Sequence, residues 1–286
     1  MKRFYHVYTK GLEHDVIFRE HADYVVGMNY VPVSLHALDL RLLAFVLMSN
    51  HFHFMVYGTE SEALSFINLY KRMISRFISN KYGTRKLMKA VQTSCSEIDV
   101  RNEGLKRIIA YVLNNPVKAG INCMPQNYEW GSGACYFSNK DPFADTIELT
   151  SMGVRAQIRL LKSETKVKQG YRINSSGYIV PQSYVDTDFV ENLYGRARSL
   201  EYFLSTSNRH DGENDAPVTF SDTLVMSFIN EMLEKRYEGV EVKDLSMEIK
   251  GTFMLELRRR FNSPVKQLAR ILKCTVADVV NQINHK

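Results

Sequence analysis

The chain has 286 residues, of which 45% are hydrophobic and 11% aromatic, and it carries a net charge of +6 at pH 7. This length and composition exclude a disordered chain and are ample for a packed core. The four cysteines show no Cys-x-x-Cys spacing, which disfavours a disulfide framework and a cysteine zinc site. The longest apolar run, residues 42–48, is too short to span a bilayer, and no signal-like segment follows the basic N-terminus. We therefore expect a cytoplasmic protein without membrane contacts.

The hydrophobic periodicity of the first half predicts an α+β fold. Apolar residues at i, i+3 and i+4 indicate a helix over residues 61–81, and a second helix is expected to begin near Gly104. Residues 84–103 have a mixed pattern that favours a loop with one short strand. Before these come a strand at residues 4–9, a helix at 22–35 that Pro32 interrupts, and a long strand or hairpin at 41–57.

Two histidines separated by one residue, His51 and His53, lie in an apolar run within the long strand or hairpin at residues 41–57. Because side chains alternate faces along a strand, the two imidazoles are expected on one face and Phe52 and Phe54 on the other. A His-x-His pair that stands alone is more often structural, with one ring in the core and the other at the surface. As a functional pair, it makes half of a metal site.

A phenol and a carboxamide are placed together on the helix that begins near Gly104. At 100° per residue, Tyr111 and Asn115 lie one turn apart on one flank of its buried stripe. Pro116 disfavours helical geometry at the residue before it, so we expect the helix to end or kink at Asn115.

Together these side chains predict a site for phosphate chemistry. Two neutral imidazoles and one amide oxygen, from His51, His53 and Asn115, bind a divalent cation such as Mg²⁺ or Mn²⁺ without adding negative charge. The cation would keep open positions for a phosphate oxygen. Tyr111, one turn from the third ligand, would attack the phosphorus and form a phosphotyrosine, which conserves the phosphodiester energy for religation. This chemistry is typical of strand transfer.

Both motifs carry a resemblance to a known family. Residues 48–53 and 111–120, with the opening residues 5–11 and the Tyr-Glu-Trp at 128–130, resemble the HUH-type single-tyrosine transposases, especially the REP-associated tyrosine and insertion-sequence-200-like transposases. The match covers about residues 1–137.

The resemblance implies a ferredoxin-like α+β HUH catalytic domain, with an antiparallel sheet and packed helices, that cuts single-stranded DNA next to a hairpin. It assigns Tyr111 as the nucleophile that joins the 5′ phosphate, His51 and His53 as metal ligands, and Asn115 as the third ligand. The chain departs from the family pattern at two places, and the first of them, residues 86–94, concerns the substrate contacts more than the chemistry. Residues 86–94 stand where family members often have an aromatic- and glycine-containing segment, and Ser49 replaces a common proline.

The excess positive charge is concentrated at the C-terminus. After residue 250, seven Lys or Arg residues stand against two acidic residues, a local charge of +5. Residues 265–283 have the layout of a helix-turn-helix, in which Leu272 and Val279 fill the core, Ala269 allows a close crossing and Thr275 caps the second helix. Lys273 holds the turn position where glycine is usual. A generic helical hairpin is the alternative.

We predict three regions: a catalytic domain at residues 1–137, an accessory or linker region at 138–217 with a helix at 189–203, and a helical, basic DNA-binding domain at 218–286. Candidate DNA-binding residues lie on the polar face of the helix at 61–81 and in the C-terminal region. These are Lys71, Arg72, Arg76, Arg258, Arg259, Arg260, Lys266, Arg270 and Lys273. For both groups, a merely solvated helix face is the alternative.

The favoured function is a metal-dependent nuclease and strand transferase acting on single-stranded or hairpin DNA. A domesticated DNA-binding regulator with idle catalytic residues is the main rival. A metal-dependent hydrolase that does not use Tyr111 is a weaker alternative, because such an enzyme usually recruits an Asp or Glu base and none flanks the histidines. Duplex DNA at the C-terminal region and a homodimer are further expected partners.

Overall fold

The computed structural model describes residues 1–9, 16–83, 91–119, 121, 124–207, 222–237, 239–261 and 263–284. The described chain is an α+β protein that divides into two compact units. The first unit contains a β-sheet and the helices that pack on it. The second unit is built mainly from helices within residues 222–284.

The first unit is organised by a four-stranded antiparallel sheet in the order β2-β3-β1-β4. Helix α1 joins β1 to β2, helix α2 joins β3 to β4, and β2 and β3 form a hairpin. The chain order is therefore strand, helix, strand, strand, helix, strand. Of the long strand or hairpin predicted at residues 41–57, the structure has the hairpin. The bounds are β1 (Arg3–Thr9), α1 (His21–Leu35), β2 (Arg41–Leu47), β3 (Phe52–Gly58), α2 (Glu60–Tyr82) and β4 (Thr93–Glu97).

Aromatic side chains of β3 pack against α2 on one face of the sheet. The Phe52 ring lies 4.9 Å from Tyr70, the Phe54 ring lies 5.0 Å from Phe66, and all four side chains are fully buried. Rings of this size dominate the energetics of a core because each buries a large apolar area. The predicted alternation of β3 is confirmed on this face.

Helix α1 is continuous, which corrects the prediction that Pro32 interrupts it. Proline removes one intrahelical hydrogen bond and crowds the preceding turn. Its neighbours Val31 and Val33 are almost completely buried. We attribute the continuity to this apolar burial, which offsets the local cost of the proline.

The free edge of β2 is covered by the segment that contains the Tyr-Glu-Trp motif. The Leu47 N–H donates to the Trp130 carbonyl (2.8 Å), and the Tyr128 hydroxyl donates to the Leu47 carbonyl (2.7 Å). A Cβ at Gly131 would lie 2.9 Å from the Phe45 carbonyl oxygen, so only glycine fits this close approach. The motif thus protects an edge that would otherwise expose unpaired backbone groups.

Residues 138–207, predicted as an accessory or linker region, belong to the same compact unit as the sheet. The Asp186 N–H donates to the Leu42 carbonyl of β2 (2.8 Å). The single helix predicted at 189–203 is instead two helices, because Gly195 between them adopts a left-handed φ of +76°. The predicted boundary at residue 217 lies outside the described residues. The elements here are β5 (Ile147–Glu148), α4 (Val154–Leu161), β6 (Arg172–Ile173), α5 (Thr187–Tyr194) and α6 (Ala197–Thr206).

The second unit contains α7 (Asp222–Arg236), α8 (Met247–Phe261), α9 (Val265–Ile271) and α10 (Val276–Asn284). Leu272 and Val279 are fully buried, and the Asp278 N–H donates to the Thr275 hydroxyl (3.1 Å), so the predicted core positions and cap are confirmed. Lys273 adopts φ +51°, the left-handed conformation for which glycine is usual at this turn. Residues 265–284 therefore form two short helices joined by a tight turn.

Among the described residues, every helix is too short or too polar to cross a lipid bilayer.

A buried carboxylate fastens the start of α1 to the end of α2. Asp23 is completely buried and accepts hydrogen bonds from the Arg19 N–H (2.8 Å) and the Tyr82 hydroxyl (2.9 Å). It also forms an ion pair with Lys81 (2.5 Å). Burial lowers the pKa of Lys81, but its bonds to Asp23 and Glu20 more than offset this, and the pKa lies above its usual value.

Asp23→Asn should lower the free energy of unfolding by about 2 kcal/mol, because it leaves Lys81 without its buried partner and weakens charge-assisted hydrogen bonds. Urea unfolding followed by circular dichroism measures the change. Asp39→Asn is the matched control, because Asp39 pairs with Lys2 in an exposed ion pair. Equal effects of the two substitutions would contradict a special role for the buried carboxylate.

Candidate functional site

The face of the sheet opposite the aromatic core carries a cluster of polar rings. Tyr8 of β1 lies directly opposite His53 of β3, so both side chains project from the same face, and His6 precedes Tyr8 by two residues. The ring centroids of His6 and Tyr8 are 4.6 Å apart, and those of Tyr8 and His53 are 5.5 Å apart. His6 and His53 are only 7% and 2% exposed. These two imidazoles are therefore largely shielded from solvent.

His51 lies in the turn before β3 and not on the strand, which corrects the expectation that both histidines occupy strand positions. The turn is held by the Met48 N–H, which donates to the His51 carbonyl (2.8 Å), and by the Ser49 carbonyl, which accepts from the Ile17 N–H (2.7 Å). The rings of His51 and His53 remain adjacent, with centroids 5.0 Å apart and planes nearly perpendicular. The turn thus replaces the strand in placing His51 beside His53.

Helix α3 (Gly104–Lys118) brings Tyr111 to the histidines. Ile109 and Val112 are fully buried, as their periodicity predicts, and this stripe orients the helix. The Tyr111 ring lies 5.8 Å from His53 and 5.8 Å from His6, edge-on to both. It is partly exposed. Residues that are some sixty positions apart in sequence therefore meet in one cluster.

Asn115 follows Tyr111 by one turn, and α3 continues past it through Pro116 to Lys118, so the helix does not end at Asn115. The Asn115 side-chain amide donates to the carbonyls of Tyr111 (3.0 Å) and Val112 (3.4 Å). The Val112 carbonyl is the group that loses its backbone donor, because Pro116 has no N–H. Asn115 supplies a substitute donor and thereby supports the helix. Its amide oxygen is the atom that would bind a cation.

The neighbouring Asn114 is a structural residue. It is 3% exposed, and its amide donates to the Ser207 hydroxyl (2.9 Å) and the Leu204 carbonyl (3.2 Å) at the end of α6. These bonds hold α3 against the end of α6.

Hydrogen bonds orient both rings of the histidine pair. The Nδ1 of His51 bonds to the Asn50 carboxamide oxygen (2.8 Å), which can only accept, so in the neutral ring Nδ1 carries the proton and Nε2 the lone pair. The Nδ1 of His53 lies 2.9 Å from the Nε2 of His6. Nε2 is therefore the nitrogen through which each ring of the pair would bind a metal, with the other nitrogen held by a neighbouring residue.

His6 is a site residue that our sequence analysis missed. The available signal was its position two residues before Tyr8 on a strand, which places both rings on one face. That signal is weak on its own because it does not reveal which strand lies next to β1.

The donor set of His51, His53 and Asn115 fits a divalent cation that keeps open positions. Among the described residues, no three His, Cys, Asp or Glu side chains form a group that could hold a metal ion. A cation at the histidine pair would therefore complete its coordination with Asn115, water or substrate oxygens.

The candidate DNA-binding residues on α2 do not join this cluster. Their helix packs on the aromatic face, so the sheet lies between them and the histidines. Lys71 is partly buried, which lowers its pKa, and its ammonium group donates to the Val91 carbonyl. Arg72 and Arg76 are exposed.

In the second unit, two of the candidate arginines are engaged within the protein. Arg260 pairs with Glu256 (2.7 Å) and lies over the Phe228 ring (4.6 Å). Arg270 forms two hydrogen bonds to the Asp222 carboxylate (2.6 and 2.8 Å), which hold the pKa of Asp222 at about 2. Arg258 is partly buried. Arg259, Lys266 and Lys273 are exposed.

No protein-family model matches the chain, and no curated protein matches it. Among solved structures, the chain is similar to one described as a REP-associated tyrosine transposase bound to a REP hairpin. The identity is 12%, the TM-score is 0.34, and the match covers 47% of this chain and 77% of the other. At this level the likeness carries no argument about activity.

Proposed function

We propose that this protein is a metal-dependent single-stranded DNA endonuclease and strand transferase that cuts next to DNA hairpins through a 5′-phosphotyrosine intermediate. The observation that supports this most is the meeting of Tyr111 with the histidine pair, because two sequence motifs far apart in the chain converge on one face of the sheet. The order of strands and helices supports it further, since it is that of a ferredoxin-like fold.

The proposed reaction begins with attack of the Tyr111 oxygen on the scissile phosphorus. A bond forms between this oxygen and the phosphorus, the bond from the phosphorus to the 3′ oxygen breaks, and the leaving oxygen takes up a proton as the phenol loses one. Mg²⁺ or Mn²⁺, held by His51, His53 and Asn115, would supply positive charge to the phosphate oxygens. α3 orients the phenol, because its buried stripe and Asn114 hold the helix against the rest of the unit.

The site contains a second tyrosine that could compete as nucleophile. Tyr8 stacks on His53 with an interplanar angle of 16°, whereas Tyr111 meets the same ring edge-on. The face of the Tyr8 ring therefore packs against the imidazole of His53. Tyr111 also precedes Asn115 by one helical turn, so we assign the attack to Tyr111.

The second unit is the proposed contact for duplex DNA. Exposed Lys266 lies in the first turn of α9, and exposed Lys273 lies in the loop between α9 and α10; both ammonium groups would bind phosphates. The described part of α10 carries no Lys or Arg, so Asn281 and Gln282 are its candidate groups for base edges. The homodimer and the cytoplasmic location stay predictions.

Tyr111→Phe should eliminate covalent adduct formation while preserving hairpin binding, because it removes only the nucleophilic oxygen. The assay incubates the protein with a labelled single-stranded hairpin and Mn²⁺ and then separates denaturant-resistant protein–DNA adducts. Tyr8→Phe and Tyr202→Phe are the matched controls, since Tyr8 lies in the cluster and Tyr202 is exposed on α6. Both should retain the adduct.

An undiminished adduct in Tyr111→Phe, or its loss only in Tyr8→Phe, would show that the nucleophile is wrongly assigned. A wild-type protein that binds the hairpin with no adduct or cut product would favour the DNA-binding regulator. Cut product with a free 5′ phosphate and no adduct would indicate hydrolysis by water.

Substitution of either His51 or His53 by Ala should reduce cleavage to background and leave hairpin affinity within a few-fold, because phosphate contacts elsewhere supply most of the binding. Asn115→Ala should be milder, since water can replace one neutral ligand. His21→Ala is the control, because this histidine is exposed. Loss of hairpin binding together with cleavage, in a variant with unchanged circular dichroism, would indicate a structural histidine pair.

Replacing Lys266 and Lys273 together with Ala should weaken duplex binding and flatten its salt dependence. Each lost phosphate contact reduces the slope of log K against log salt by about 0.9. Lys235→Ala is the control, because Lys235 pairs with Glu231 on α7. Fluorescence anisotropy at several salt concentrations measures both quantities. Unchanged slopes would mean that the second unit does not bind phosphates through these two lysines.

A further inference from the structure

His6 makes a buried hydrogen bond to one of the proposed metal ligands. Its Nε2 lies 2.9 Å from the Nδ1 of His53, and the two rings are nearly parallel, with an interplanar angle of 12°. Tyr8 stacks on His6 from the same strand, and the edge of Tyr111 contacts it. His6 is thus fixed by its neighbours, and its nitrogen is aimed at His53.

The proton between these two nitrogens decides what His53 can do. If His53 donates, its Nδ1 carries the hydrogen and its Nε2 has a lone pair for a metal. If His6 donates, the Nε2 of a neutral His53 carries the hydrogen and cannot bind a metal. A buried pair with both rings protonated is costly, because two positive charges would lie within hydrogen-bonding distance.

We propose that His6 is a positioning residue: its Nε2 accepts the Nδ1–H of His53 and thereby holds His53 in the tautomer whose Nε2 binds the divalent cation. This inference rests on the proposed function, because it takes His53 to be a ligand of the divalent cation. It extends the role that Asn50 has for His51 to the second ligand. Each ring would then have one nitrogen held by the protein and the other presented to the cation.

The first experiment determines the tautomer of His53 in the full chain without metal or DNA. Two-dimensional ¹⁵N nuclear magnetic resonance of histidine-labelled protein distinguishes Nδ1–H from Nε2–H rings, and His53→Gln identifies the signal. Wild-type protein should show His53 as Nδ1–H. His6→Gln offers a carboxamide oxygen as an acceptor and should retain that tautomer, whereas His6→Leu offers none and should shift His53 towards Nε2–H.

The second experiment measures Mn²⁺ affinity by titration with electron paramagnetic resonance detection. His6→Leu should weaken Mn²⁺ binding by about 10- to 100-fold, the usual cost of removing a hydrogen-bond partner of a metal ligand. His6→Gln should recover most of the affinity. His21→Leu, at an exposed histidine, should match wild type.

The proposal is overturned if wild-type His53 is an Nε2–H ring, or if His6→Leu binds Mn²⁺ as wild type does. It is also overturned if His6→Gln loses as much affinity as His6→Leu, since His6 would then act as a ligand or by packing. The wild-type tautomer decides the matter even where a variant fails to fold. A wild-type chain that shows the Nδ1–H ring but binds no Mn²⁺ would refute the proposed metal-dependent function and leave the hydrogen bond itself intact.

Discussion

The alternation of side chains along β3 is the constraint on which the first unit depends. One strand supplies Phe52 and Phe54 to the core beneath α2 and His53 to the opposite face. A slip of one residue in register would exchange these faces, burying an imidazole among phenyl rings. The apolar packing of β3 therefore also determines where the imidazole lies, and the energy that holds the core holds the site. The position of β1 depends on the same register, because Tyr8 pairs with His53 and this pairing brings the rings of Tyr8 and His6 into the cluster.

Local periodicity was sufficient to predict much of this arrangement. The stripe of α2, the alternation around His53 and the flank position of Tyr111 each follow from a repeat of 3.6 or 2 residues. Such repeats are written into consecutive side chains, so no knowledge of distant contacts is needed. The cap at Thr275 was predictable for the same reason, because its partner Asp278 lies three residues away.

Features that depend on distant contacts, or on a side chain that replaces a missing backbone donor, could not be predicted. Pro32 and Pro116 both indicate a break, yet both helices continue. Burial outweighs the defect in α1, and a side-chain amide repairs it in α3. The hydrogen bond between His53 and His6 depends on which strand pairs with which. The covering of β2 by the segment around Gly131 depends on a close approach between residues some eighty positions apart.

The amide of Asn115 limits which substitutions α3 can accept at this position. A carboxamide offers a donor and an acceptor at once, so its nitrogen can donate to the turn before Pro116 while its oxygen stays able to accept or to bind a cation. A carboxylate would have no hydrogen to give to the helix. A neutral imidazole has one N–H, but its ring is too rigid to donate to the carbonyls of the preceding turn as the amide does. Pro116 therefore limits which residue types can replace Asn115 without weakening α3. We expect substitutions at positions 115 and 116 to occur together in related sequences.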